Sequence, residues 1–221
     1  GTGEEYGRVP ASQLGNGEVY TAAGVYNFGV NDAENLELNV SISGDNGAYI
    51  TQSNYPMYGY DNDGYLDLSS TISGPVASDV DVYFEDTTPM DETSGLYSAT
   101  FTASSSGDSE GGEYANDNSA VREFAVTDGE YSSDGIGVYS NPDVSRMGTG
   151  TFLDASDGFM MMAYYDIAET TALESVTILL DSYMYSEPAT VAGGEFVVTL
   201  RDTTLMSAET FDPGDFIASS D

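Results

Sequence analysis

Apolar and polar residues alternate with a period of two over much of the chain. Leu36, Leu38, Val40 and Ile42 are interleaved with Glu37, Asn39, Ser41 and Ser43, which gives one oily and one wet face when the backbone is extended. The Gly44-Asp45-Asn46-Gly47 run that follows supplies turn residues and ends the segment. The same reading predicts strands over residues 49–55, 65–72, 80–84, 97–103 and 121–127, separated by Gly, Asp, Asn and Ser clusters. A second series is predicted over residues 136–139, 148–153, 159–167, 176–182 and 195–201. Only residues 168–175 suggest a helical turn, and the Thr170-Thr171 pair argues against one.

Strands about a dozen residues apart, with turn signals between them, predict an antiparallel sandwich. The polar, Gly-containing stretch Gly129-Glu130-Tyr131-Ser132-Ser133-Asp134-Gly135 divides the two series. The expected fold is therefore all-β, with two antiparallel β-sandwich domains. An N-terminal extension covers 1–17, the first sandwich 18–128 and the second 129–221.

Composition narrows the chemistry. The 221 residues include no Cys, His or Trp, and the four basic residues are Arg8, Arg122, Arg146 and Arg201. Nucleophilic triads built on His or Cys, Lys Schiff bases, disulfides and imidazole or thiolate metal sites are thereby excluded. Against the four Arg stand 38 Asp and Glu, a formal charge of −34. Such a surface repels nucleic acid and anionic membranes and needs salt or bound cations to offset its self-repulsion. Hydrophobic residues make up 40% and aromatics 12%, enough to build a core, so disorder is not expected. No apolar run approaches membrane-spanning length, so no membrane insertion is expected. The opening GTGEEYGRVP shows no signal-peptide pattern, as expected if a signal has been removed or if the protein is a halophile's cytoplasmic one.

The residues from Ser94 to Asp128 carry a family likeness. Gly95, Tyr97 and Phe101 begin a strand, an acidic loop follows, Asn116-Asp117-Asn118-Ser119-Ala120 forms a corner, and the next strand ends Phe124-Ala125-Val126-Thr127-Asp128. This resembles the last two strands of immunoglobulin-like, CARDB-like modules in large secreted proteins of Bacteroidota exported by the type IX secretion system. The following half, with YSSDGIGVY, then GTGTFLDASDGFMMMAYYDIAETTALESVTILL, then GGEFVVTLRDTT, is similar to the jelly-roll-like module that often comes next in those proteins. The resemblance implies an immunoglobulin-like sandwich followed by a jelly-roll-like one, and an extracellular or cell-surface location. It implies no particular activity, because the same modules occur in proteases, adhesins and other surface proteins.

Three groups of residues are candidates for function. Asp61-Asn62-Asp63-Gly64-Tyr65-Leu66-Asp67 places oxygen ligands at alternating positions around a turn-forming Gly, as Ca²⁺ requires, with Asp61, Asp63 and Asp67 as the ligands. It resembles the calcium loops of thrombospondin type 3 and FG-GAP repeats, although Gly59 stands at the first ligand position. The same residues also suit a solvated turn. A further acidic group, Asp108, Glu110, Glu113, Asn116, Asp117 and Asn118, reads as a solubilising loop or a cation site between domains. Phe159 to Tyr165 would be apolar on both faces as a strand, so Met160, Met161, Met162, Tyr164 and Tyr165 are expected to be covered, either within the chain or by another subunit.

Paired carboxylates of a glycosidase need two acids about 5–10 Å apart, one in an apolar setting. The abundance of acids makes any one pair uninformative. The expected role is thus a non-enzymatic extracellular structural or adhesive protein, self-associating, forming a filament or joined to neighbouring modules of a larger chain. The alternative is an accessory module that binds a glycan through Tyr side chains, with calcium in support. Asp86-Thr87-Thr88 and Asp202-Thr203-Thr204 resemble the O-glycosylation signal of Bacteroidota.

Overall fold

The computed structural model describes residues 6–15, 17–61, 63–90, 93–107, 117–138, 162–179, 197–203 and 216–219. Nearly all regular structure in them is β, the exception being a single 3₁₀ turn at Ala11–Gln13. The strands are β1 (Arg8–Pro10), β2 (Glu18–Tyr26), β3 (Glu34–Gly44), β4 (Tyr49–Ser53), β5 (Met57–Tyr60), β6 (Leu66–Thr71), β7 (Asp81–Pro89), β8 (Gly95–Ser106), β9 (Ser119–Thr127), β10 (Thr199–Arg201) and β11 (Phe216–Ser219).

The first nine strands form two sheets, ordered β1-β9-β8-β3-β4 and β2-β7-β5-β6. Every pairing is antiparallel except that of β1 with β9. The alternating segment expected around Leu38 is the centre of β3, with Val40 opposite Phe101 on β8 and Gln52 on β4. Its inward residues Leu38, Val40 and Ile42 meet Val82 and Phe84 of β7, Met57 of β5, and Tyr97 and Ala99 of β8 in one buried cluster. The core therefore lies between the two sheets, and the architecture is sandwich-like.

One polar group is enclosed with this core. The hydroxyls of Thr21, Tyr55 and Thr88 form a triangle with sides of 2.7–3.0 Å, so each of the buried oxygens has its partners inside the protein. Thr88 is fully buried, which leaves Thr87 as the exposed hydroxyl of the Asp86-Thr87-Thr88 signal.

The chain divides into two compact units, Gly1–Ser145 with Met160–Ala172, and Arg146–Phe159 with Leu173–Asp221. Within the second, the described strands are the antiparallel pair β10 and β11, with Leu200 opposite Ala218. After Asp128 the sequence pattern predicts further strands, and the structure differs at three of them. Residues 162–167 and 176–179 take part in no ladder, and 136–138 form a turn. At Asp166 the backbone amide and carbonyl are engaged by side chains, as described next.

Candidate functional site

The hairpin joining β5 and β6 holds the expected calcium ligands. Asp61 closes it with its own backbone, donating its N–H to the Tyr65 carbonyl at 2.7 Å, while its Oδ1 accepts from the amides of Asp63 and Tyr65, both at 2.9 Å. Gly64 sits at φ +83°, which is why Gly is required there. Asp67 turns the other way. Its carboxylate accepts from the Ser69 amide and from the Ser69 and Ser70 hydroxyls, and the Ser69 bonds hold its pKa below the usual carboxylate range. Asn62 lies outside the described residues, and among those described no group of three or more acidic side chains is placed to hold a metal ion. Asp108, Glu110, Glu113 and Asn116 also lie outside them.

Of the residues expected in an interface, Met160 and Met161 lie outside the described residues, and Met162, Tyr164 and Tyr165 lie within them. The segment that carries these three is held by side chains remote in sequence. Tyr165 stacks on Tyr6 with ring centroids 6.0 Å apart and meets Tyr131 edge-on at 5.2 Å. Tyr6 and Tyr131 meet edge-on at 4.7 Å, completing a three-ring cluster. The two phenols then grip the next residue. Tyr6 accepts from the Asp166 amide and Tyr131 donates to the Asp166 carbonyl, both at 2.8 Å.

Three residues on, the buried Gln13 does the same to Glu169, donating from Nε2 to its carbonyl at 3.0 Å and accepting its amide on Oε1 at 3.2 Å. A primary amide presents one donor and one acceptor side by side, as a neighbouring strand would. All four bonds go to main-chain atoms, so the side chains of the segment are left for other contacts. Met162 and Tyr164 are each 44% exposed and Ile167 is 51% exposed.

Tyr6, Gln13 and Tyr131 were not expected at this site. The only signal for them in the sequence is a Tyr flanked by Gly and acidic residues before β1 and again after β9, which marks no particular contact. Tyr131 is positioned because the chain after β9 returns antiparallel to β1, where Ser132 pairs with Arg8. Arg8 fixes that return by donating from Nη2 to the Ile136 carbonyl at 2.7 Å and by pairing with Glu130 at 3.5 Å.

A cleft of about 710 Å³ opens at the rim of the sandwich, with Glu34 and Glu37 beside Tyr55, Ile72 and Pro75. Both carboxylates face water.

Comparison of the chain with known protein families, with curated proteins and with solved structures finds no match. No described helix is long and apolar enough to cross a membrane.

Proposed function

We propose that the chain is a non-enzymatic structural or adhesive module of a bacterial surface, built from an immunoglobulin-like sandwich followed by a jelly-roll-like one, and self-associating through the segment around Met162 and Tyr164. The observation that carries this reading is the way residues 162–169 are held. The bonds from Tyr6, Tyr131 and Gln13 engage the segment's backbone and the ring contacts engage Tyr165, which leaves Met162, Tyr164 and Ile167 exposed beside Asp166 and Glu169.

The immunoglobulin-like part draws support from strand order. Strands β9, β8, β3 and β4 face β2, β7 and β5, as G, F, C and C′ face B, E and D in that fold. It draws further support from Tyr97 near the start of β8, whose hydroxyl bonds back to the Thr93 carbonyl, as the tyrosine corner of such domains does. The jelly-roll-like reading of the second half rests on the sequence resemblance. The charge of −34 suits a salt-rich or calcium-containing extracellular medium, where screening permits like-charged copies to approach.

Light scattering tests the association in high salt. The wild-type mass is expected to rise with concentration, and Met162→Glu with Tyr164→Glu to hold it at the monomer value with an unchanged circular dichroism spectrum. A mass that stays monomeric in the wild type, or that the substitutions leave unaltered, would rule this surface out.

A further inference from the structure

The loop between β2 and β3 presents apolar side chains on a rigid frame. Phe28 is 82% and Val30 92% exposed, and Tyr26 packs edge-on against Phe28 with centroids 4.3 Å apart. Loops that expose such residues without need are ordinarily pliant. This one is pinned by the Asn27 side chain together with bonds along its flanks.

Asn27 donates from Nδ2 to the carbonyls of Asn31 and Val76 at 3.0 Å and of Ala77 at 3.2 Å, and its Oδ1 accepts the Gly29 amide at 2.9 Å. Ser78 adds a bond from its hydroxyl to the Gly29 carbonyl. The Ala33 and Val76 backbones pair in both directions, at 2.7 and 2.9 Å. The tip is therefore fixed in advance, so little ordering entropy opposes the docking of a partner on it.

The surroundings of the tip state what that partner must be. Asp32, Asp79 and Asp81 are exposed around it, and Asp79 accepts from the Tyr26 hydroxyl at 3.0 Å. An apolar knob ringed by carboxylates complements an apolar surface ringed by Lys or Arg. A second copy of this chain does not supply one, because it has four Arg and no Lys, carries −34 itself, and commits Arg8 to Glu130 and the Ile136 carbonyl. We propose that the Tyr26-Phe28-Val30 tip is a docking site for a different protein, one that offers an apolar patch or peptide flanked by basic residues. This inference is independent of the association proposed at residues 162–169.

The test uses labelled peptides with a Leu-Phe-Leu centre flanked by lysines, by serines or by glutamates, titrated with the full chain in about 0.1 M salt and followed by fluorescence anisotropy. The lysine peptide is expected to bind, the serine peptide roughly tenfold more weakly and the glutamate peptide not at all. Phe28→Ser with Val30→Ser, at positions too exposed to affect folding, should weaken the lysine peptide by at least about tenfold. Phe28→Tyr and the control Leu96→Ser should leave it unchanged. Equal binding of the lysine peptide by the double variant would reduce the effect to bulk charge and overturn the proposal. So would equal binding of the serine peptide, and so would a fall in the chain's own oligomeric mass on substituting Phe28 and Val30.

Discussion

The Tyr97 hydroxyl donates to the Thr93 carbonyl at 2.5 Å across the corner that leads into β8, and accepts from Asn46 Nδ2 at 2.9 Å. One phenol thus ties together the corner between the sheets and the β3–β4 turn, while its ring lies in the core stacked on Phe124 with centroids 5.4 Å apart. Tyr97→Phe keeps the ring and strands both polar partners. A loss of about 1–3 kcal/mol in urea unfolding is expected, with an unchanged dependence on denaturant because the folded surface is the same. A loss within error would show that water replaces the hydroxyl.

How much of this was legible follows from where each signal resides. The strands β3, β4, β6, β7, β8 and β9 were expected because strand-forming residues run between turn signals, and in β3, β7 and β8 the buried face keeps a period of two in the residues themselves. In β2 the inward positions are Val19, Thr21, Ala23 and Val25, where small and hydroxylated residues dilute the alternation. The strand β5 spans only Met57–Tyr60, too short for a period to show, and β1 is three residues containing Arg and Pro. The Asp61 turn carried an ambiguous signal for a physical reason. A calcium loop and a self-capped hairpin both ask for Asp oxygens two residues apart beside a Gly, and here the Asp61 oxygen caps amides. The grip of Gln13 on Glu169 was not legible at all, since a single Gln has no pattern and its partner lies 156 residues away.

Gly7 is required by the closeness of two backbones. It donates to the Ser132 carbonyl at 2.9 Å and accepts from Ala125 at 2.9 Å, and a Cβ placed on it would sit 1.8 Å from the Asp134 carbonyl oxygen. No side-chain rotation relieves a clash with backbone. Gly7→Ala is expected to push β1 and the 132–135 turn apart and to cost at least about 2 kcal/mol in thermal or urea unfolding. Gly24→Ala, where the added carbon meets nothing within 4 Å, serves as the control and should change stability by less than about 1 kcal/mol. Equal effects at the two positions would mean that β1 is not held against the turn.

Tyr20 makes stability depend on alkaline pH. Its phenol is raised well above the ordinary value, first by partial burial and then by its hydrogen bond to the Glu85 carboxylate, which an ionised phenolate would repel. A raised folded-state pKa means that the unfolded chain loses this proton first, near the usual pH of about 10. The contribution is therefore complete below that value and declines as pH rises beyond it toward the folded-state pKa. Tyr20→Phe should flatten the decline seen by urea unfolding above about pH 10. A variant whose stability falls with pH as steeply as the wild type would place the alkaline sensitivity elsewhere.

Gln13 decides whether residues 162–169 remain attached to the two sheets formed by β1 to β9. Gln13→Leu fills nearly the same volume but offers neither donor nor acceptor, so the Glu169 amide and carbonyl lose both partners. Tyr6→Phe removes only the acceptor of the Asp166 amide and leaves the Tyr131 bond to its carbonyl in place. The two changes should therefore differ in degree. Hydrogen exchange at the Glu169 amide is expected to accelerate at least about tenfold in Gln13→Leu. In Tyr6→Phe the Asp166 amide is expected to accelerate while Glu169 stays protected. Because the segment is held by a few side-chain bonds and none of its residues belongs to the core between the sheets, exchange in β3 and β8 should not change in either variant. If β3 and β8 lose protection together with Glu169, the segment is part of the cooperative core rather than a piece tied onto it, and substitutions at Met162 and Tyr164 would then report on folding as well as on association.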